Sequence, residues 1–256
     1  MHRLMVTSST YRQASRFADA DWTEQQTTGA VALWTTCRKA DPENSLHWRR
    51  TRQRLEGESI RDAMLTAADT LSRRRGGSGI RPPLPKELLS TLLKNQWPVT
   101  PDRVDHDRRS IYLFVRRNLR YPLFDVFDRP DANLSCARRN RSTIAPQALT
   151  QLNSAFSFST SKKFARELLI KAGDGTGRQV DLAYRQALGR TPTVDEHSVA
   201  AEFISSAKKR LQDSPPNLLK LAVPENLPES TDRYHAAALT QFCLAMFNLN
   251  EFLYID

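Results

Sequence analysis

The sequence predicts a mainly α fold: an irregular helical domain built around a long ordered Arg/Asp-rich central loop. Three observations carry that expectation. Apolar residues recur at helical spacing through most of the chain rather than alternating. Helix stops and starts punctuate the pattern, with glycines and prolines at 73–85 and a Thr-x-x-Glu box at 193–196. The one long stretch with neither period, "FDVFDRPDANLSCARRNRS" at 124–142, lies in a run, 116–147, that is dense in arginine, aspartate and aromatic residues. At 256 residues and 39% hydrophobic content, the chain can bury a sizeable core in one large domain or two smaller ones.

Taken in order, the start "MHRLMVTSSTYRQASR" holds only the brief apolar run "LMV", well short of a signal-peptide core, so the chain as written carries no export signal. No stretch approaches the ~20 apolar residues of a membrane span. "TTGAVALWTTCRKADPENSLHWRR" reads as a surface segment with a turn at Asp41 and Pro42. The clearest helical period follows in "RRTRQRLEGESIRDAMLTAADTLS", which places Ile60, Ala63, Met64, Ala67, Ala68 and Leu71 inward and its arginines on the other face. "RRRGGSGIRPPLP", residues 73 to 85, ends that helix and is the best boundary. It divides an N-terminal helical part, 1–85, from a C-terminal helical part, 86–256, although one continuous domain fits as well.

Beyond the boundary, "RRSIYLFVRRNLRY" predicts a helix with Ile111, Phe114, Val115, Asn118 and Leu119 on one face, and a strand through Tyr112, Phe114 and Arg116 is the alternative. Pro122 ends it. "TIAPQALTQLN" restarts a helix, with Thr143 as cap, Pro146 in the first turn, and Ala145, Ala148, Leu149 and Leu152 as the buried stripe. "GDGTG" at 173–177 lacks the ending and register of a phosphate cradle and reads as a helix-to-helix turn. The next helix buries Val180, Ala183, Tyr184, Ala187 and Leu188 and stops at Gly189. From the capping box of Thr193 and Glu196 a helix runs to about Leu211 with Ala200, Phe203, Ile204 and Ala207 inward, closed by Pro215 and Pro216. A last helix, roughly Arg233 to Asn250, buries Leu239, Phe242, Cys243, Met246 and Phe247.

Thirty-eight Lys and Arg against 28 Asp and Glu give a formal charge of +10, which favours an anionic partner without choosing one. Guanidinium groups also pair internally with carboxylates, and solvated faces plus such pairs are the plainer account of the excess. Cys37, Cys136 and Cys243 form no CxxC, CxxCH or zinc-finger spacing, so neither structural zinc nor covalent haem attachment is encoded, and their disulfide state stays open. Cys243 is a core hydrophobe. Cys136, flanked by Arg138 and Arg139, has no histidine close in sequence to act as its base. "DHD" at 105–107 contains metal-type ligands, but three consecutive residues cannot all face one ion from regular structure. His2, His47, His197 and His235 are isolated. Arginines and aromatics around Tyr112, Tyr121 and Phe124 would suit nucleic acid, but Asp125, Asp128 and Asp131 interleave at a density that repels phosphate.

In order along the chain, "HRLMVTSSTYRQASR", "DPENSLHWRR", "RLEGESIRDAML", "RRSIYLFVRRNLRYPLFDVFDRPDANLSCARRNRSTIAPQALTQLNSAF", "AYRQALGRTPT" and "NLNEFLYID" resemble the C-terminal portion of the planctomycete domain-of-unknown-function family fifteen fifty-three. The resemblance implies a large exported protein, periplasmic or at the cell surface, in which this domain follows a cytochrome c domain. Haem would then belong to that upstream domain, and no cofactor to this chain. Met1 falls inside the match, so the resemblance also implies a truncated piece of a longer protein.

Three functions are therefore expected to compete. The first is an uncharacterised accessory or interaction domain whose partner is the upstream cytochrome c-type domain, another protein or an acidic polysaccharide. The second is part of an exported hydrolase or oxidoreductase acting on polysaccharide, with loop aspartates as acid and base. The third and least favoured is a basic nucleic-acid-binding protein. No complete catalytic motif is present. Whichever holds, the expected site is the central loop, with Arg116, Arg117, Tyr121, Asp128, Asp131, Arg138, Arg139 and Asn140 as anion- or partner-binding residues, the arginines as donors and the aspartates as their orienting partners.

Overall fold

Helices account for most of the chain in the structure, a computed structural model that describes residues 1–15, 24–90, 96–214 and 221–255. The described residues form twelve helices and a single two-stranded ladder. They group into two compact units, one of Met1–Arg54 with Tyr254–Asp256 and one of Leu55–Leu253. The first holds α1 (His2–Thr7), α2 (Glu24–Ala40), and the antiparallel pair β1 (Gln53–Arg54) and β2 (Tyr254–Ile255). The segment expected as plain surface is thus helical as far as Ala40. It ends where the Asp41 carboxylate accepts the amides of Ser45 and Leu46, at 2.9 and 2.8 Å, in a tight turn.

The second unit carries the core. Its centre is α11 (Arg233–Phe247), which buries Ala236 to Leu239, Phe242, Cys243, Met246 and Phe247. It packs most extensively on α8 (Ala155–Ala172) and α10 (Val194–Asp213), with Phe164 stacked on Phe247 at 5.5 Å. Between them α9 (Thr176–Leu188) buries Val180, Ala183 and Tyr184 and stops at Gly189, whose φ of +74° only glycine adopts without strain. The capping box of α10 forms as expected: Thr193 Oγ1 accepts the Glu196 amide while Glu196 accepts the Thr193 amide. The first three residues of "GDGTG" form the turn between α8 and α9, and the last two open α9. Pro215 and Pro216 lie outside the described residues.

Two expectations at the front of this unit are overturned. α3 (Gly57–Ala67) begins about eight residues later than the apolar period suggests, because Gln53 and Arg54 are extended in the β1–β2 ladder. Its arginines also do not all face outward. Arg61 is 1% exposed, and it donates to the carbonyls of His106 (2.5 Å) and Arg108 (2.8 Å) and to Ser110 Oγ (3.2 Å). Gly57 is required by proximity: a Cβ there would come within 3.2 Å of Phe124 and 3.1 Å of Phe127, on and just after α6 (Pro122–Val126).

The helix expected at 111–119 is absent as well. A single 3₁₀ turn at Ser110–Tyr112 leads into extended chain, held when Ile80 donates to Tyr112 O and Phe114 donates to Ile80 O, both at 2.8 Å. Leu113 and Leu119 are buried, whereas Ile111 is 78% exposed. That pairing places the Gly/Pro segment 73–85 inside the second unit, and the division between units falls at Arg54–Leu55. Within the segment itself, Ile80 and Leu84 are buried.

α7 (Ala145–Asn153) forms, but with its faces exchanged. Gln147 and Gln151 are buried while Ala145, Ala148, Leu149 and Leu152 are exposed, and Ile144 rather than Thr143 occupies the cap position. The cause lies in two helix ends. Gln147 Nε2 donates to the carbonyl of Val126, the last residue of α6, and Gln151 Nε2 to that of Phe247, the last residue of α11. Carbonyls at a helix C-terminus have no partner within their own helix, so an interior one needs a donor from elsewhere. None of the described helices is long and apolar enough to cross a membrane.

Replacing Arg61 with alanine would leave a buried carbonyl, a partly buried carbonyl and a hydroxyl without their donor, so Arg61→Ala is expected to cost about 3–5 kcal/mol of folding stability. The shift of the urea midpoint measures it, and a loss below about 1 kcal/mol contradicts the role given to this side chain.

A second expectation concerns acid. The Arg190 guanidinium, with help from the Thr193 amide, holds the Glu196 carboxyl down from 4.5 to about 2. A carboxyl depressed in the folded state stabilises fully above its unfolded value and loses that contribution as pH falls from 4.5 towards 2. Because both side chains are about one-third exposed, solvent screening limits the effect to about 1–2 kcal/mol. Melting curves across that window should steepen in the native protein and flatten in Arg190→Ala.

Candidate functional site

The central segment opens from a turn. Arg116 and Leu119 pair across a tight reversal, and Pro122 then starts α6, whose cap residue is Tyr121. After α6, Asp128 sits at φ +60°, a left-handed conformation that aspartate tolerates better than most residues, and the chain runs as irregular loop to Ile144.

Three polar knots fix that loop. Arg120 donates to Asp125 Oδ1 (2.8 Å) and to Asp131 Oδ2 (3.0 Å), bridging helix and loop. Asp131 also accepts the backbone amide and side-chain amide of Asn133, both at 2.9 Å. The Asn133 amides, with Arg120 adding to them, hold its carboxyl below the usual range. Asp128 accepts the amide (2.7 Å) and hydroxyl (2.8 Å) of Ser142, so the loop's two ends are tied at its base. Farther along, Arg139 reaches back to α3, pairing with Glu58 at 3.0 Å and Glu56 at 2.9 Å.

The eight residues expected here do not converge on one point. Asp128, Asp131, Arg138 and Asn140 line one open depression, together with Cys136. Arg116 and Arg117 line a smaller pocket beside it, with Arg120 and Arg129. Arg139 lines a third cleft among Glu58, Asp62 and Arg109. Tyr121 is turned away from all three: burial pushes its phenol up, opposed by the Arg61 guanidinium beside it. Arg120, Arg129, Glu56, Glu58 and Ser142 belong to the same constellation and were not expected. Arg120, Arg129 and Ser142 carry a local signal, their position within the Arg/Asp-rich run, whereas Glu56 and Glu58 carry none, since Glu58 and Arg139 are 81 residues apart.

The loop carboxylates are therefore engaged. Asp125 and Asp131 share one guanidinium and Asp128 is held by Ser142, an arrangement that suits shape-keeping better than proton transfer. The arginines are unequal. Arg116 gives its two terminal nitrogens to Gln96, to O at 2.6 Å and Oε1 at 2.7 Å, both neutral acceptors. Arg117, Arg138 and Arg141 are exposed and meet no carboxylate among the described residues. Cys136 is an exposed free thiol whose Sγ lies 3.2 Å from Arg138 O, Cys37 is a half-buried free thiol, and Cys243 is buried.

At 105–107, Asp105 pairs with Arg74, His106 meets Thr100 O at 2.7 Å, and Asp107 pairs with Lys163. Among the described residues, no three His, Cys, Asp or Glu side chains group as metal ligands.

Asp128→Ala should loosen the base of the loop, removing both bonds to Ser142 and placing alanine at a positive φ, for about 1–3 kcal/mol. Hydrogen exchange at the Ser142 amide reads this locally. Protection should fall in Asp128→Ala and be partly kept in Asp128→Asn, and equal protection in all three proteins would exclude the tie.

No curated protein and no solved structure matches the chain. Residues 1–204, most of its length, match the family described as Protein of unknown function (DUF1553). The match takes in α3, the whole central segment and α7 to α9, the elements that build and hold the loop. The chain belongs to that family.

Proposed function

We propose that the chain is a non-catalytic accessory or interaction domain of a larger exported, cytochrome c-associated protein, and that it binds an acidic protein surface through the 138–141 edge of its central loop. One observation carries the reading. Arg139 is anchored inward on Glu56 and Glu58, which leaves Arg138, Asn140 and Arg141 on either side of it exposed and without carboxylate partners among the described residues. A rigid anchor between outward cations presents fixed donors at low ordering cost, the condition under which exposed charges contribute to association.

Two further points support it. The loop aspartates already hold arginine, serine or asparagine, which weighs against the acid–base alternative. Haem in such a protein would sit in another domain, since this sequence contains no CxxCH. The family resemblance supplies the exported setting, periplasmic or cell-surface.

Poly-L-glutamate serves as a probe for the acidic surface. Its affinity should fall with rising salt, and Arg138→Ala with Arg141→Ala should weaken it about fivefold and flatten the salt dependence. Unchanged binding in the double variant overturns the proposal. Binding of polygalacturonate or of an oligonucleotide in preference to poly-L-glutamate overturns it too, in favour of the polysaccharide or nucleic-acid reading.

A further inference from the structure

The small pocket beside the loop has a property that the exposed edge lacks. Four arginines, Arg116, Arg117, Arg120 and Arg129, line it, with Asp125 as the single acidic residue. Two of the four are already compensated. Arg120 is shared between Asp125 and Asp131, and Arg129 lies 3.7 Å from Glu58 while its guanidinium sits over the Phe124 ring. The other two are not.

Arg116 is the informative one. It is half-buried, and both terminal nitrogens are fixed by one residue, Gln96, through backbone carbonyl and side-chain oxygen. Gln96 is itself placed by its neighbour Trp97, whose indole donates to Pro82 O at 2.9 Å and packs edge-on against Phe114. A structural arginine at such a position usually meets a carboxylate, since a partly desolvated cation is stabilised by opposite charge. Here a neutral amide orients the guanidinium and leaves its charge available. Arg117 adds a second cation, with no ion pair or hydrogen bond among the described residues.

We infer that this pocket binds a tetrahedral oxyanion, a phosphate or sulfate group, with Arg116 as the preoriented donor, Arg117 closing over the ligand from solvent and Arg120 and Arg129 completing the positive wall. Several arginines lining one small pocket suit a tetrahedral anion, which accepts donors from more than one side, where a planar carboxylate would use a single fork. Asp125 does not oppose the ligand, because its Oδ1 is held by Arg120 and the pair keeps Arg120 in place. The site is separate from the 138–141 edge and draws on different residues.

Calorimetric titration of the full chain with inorganic phosphate, inorganic sulfate and acetate at low salt tests it. Phosphate or sulfate should bind saturably at one site, at least about tenfold more tightly than acetate. Arg116→Ala should weaken that binding at least about tenfold, the scale of one charged hydrogen-bonding group. Gln96→Glu is the sharper variant. It keeps the shape and the acceptors around Arg116 but neutralises the charge, so it should preserve or raise the melting temperature while abolishing phosphate binding.

Arg138→Ala should leave phosphate affinity unchanged. Non-saturable binding, acetate equal to phosphate, or full affinity in Gln96→Glu would each overturn the inference. Loss of poly-L-glutamate binding alone overturns the proposed function and leaves the pocket standing. Loss of phosphate binding alone does the reverse.

Discussion

The buried guanidinium of Arg61 is the interaction on which the second unit is arranged. Its side chain leaves α3, passes the Phe156 ring at 5.2 Å and ends among His106 O, Arg108 O and Ser110 Oγ. The next residue on α3, Asp62, accepts both the amide (2.7 Å) and the hydroxyl (2.6 Å) of Ser110. Two adjacent residues of one helix thus fix the point from which chain 111–121 departs. Burying a cation is costly unless it is paired and its donors are used; here two backbone carbonyls and Ser110 take the terminal nitrogens and the Asp62 carboxylate lies 3.7 Å away, so the charge specifies one path for the segment rather than adding stability of its own.

From that point the central segment follows a division of labour among its charges. Those that cross-link the loop to itself or to its neighbours are spent: Arg120 on two aspartates, Asp128 on Ser142, Arg139 on two glutamates. Those left over are exposed cations, Arg117, Arg138 and Arg141. A loop of this length without regular structure would otherwise be mobile, and the cross-links make it a surface of fixed shape. The same logic runs through α7. Its glutamines turn inward to serve the last carbonyls of α6 and α11, so its apolar residues are the ones left exposed. Satisfying a buried carbonyl outranks burying a leucine, because an unmet acceptor in the interior costs about 1–3 kcal/mol and recovers nothing from solvent.

How much of this could be read from the sequence follows from how local each cause is. The faces of α9 and α10, the capping box at Thr193 and the stop at Gly189 are decided within a few residues, and the periodicity gives them correctly. The fate of 111–119 is decided by Ile80, and the face of α7 by Val126 and Phe247, none of them neighbours in sequence. The inward turn of Arg61 belongs with these, since its acceptors lie more than forty residues on. In the site, the density of Arg and Asp marks the right segment. It cannot distinguish Arg139, anchored on α3, from Arg138 beside it, because the difference is supplied by Glu56 and Glu58.

That distinction bears on what a charge of +10 means. Arginine count alone suits nucleic acid, acidic polymer and internal pairing equally, and the balance shifts only when each guanidinium is traced to its acceptor. Arg61, Arg108, Arg120, Arg139 and Arg190 are accounted for by carbonyls or carboxylates within the fold. What remains around the central loop is a few cations at fixed positions, one of them oriented by a neutral amide. A surface of that kind offers a few preorganised donors rather than a continuous track of charge. It is well suited to a single oxyanion or a short acidic patch, where preorganisation counts for more than the number of charges.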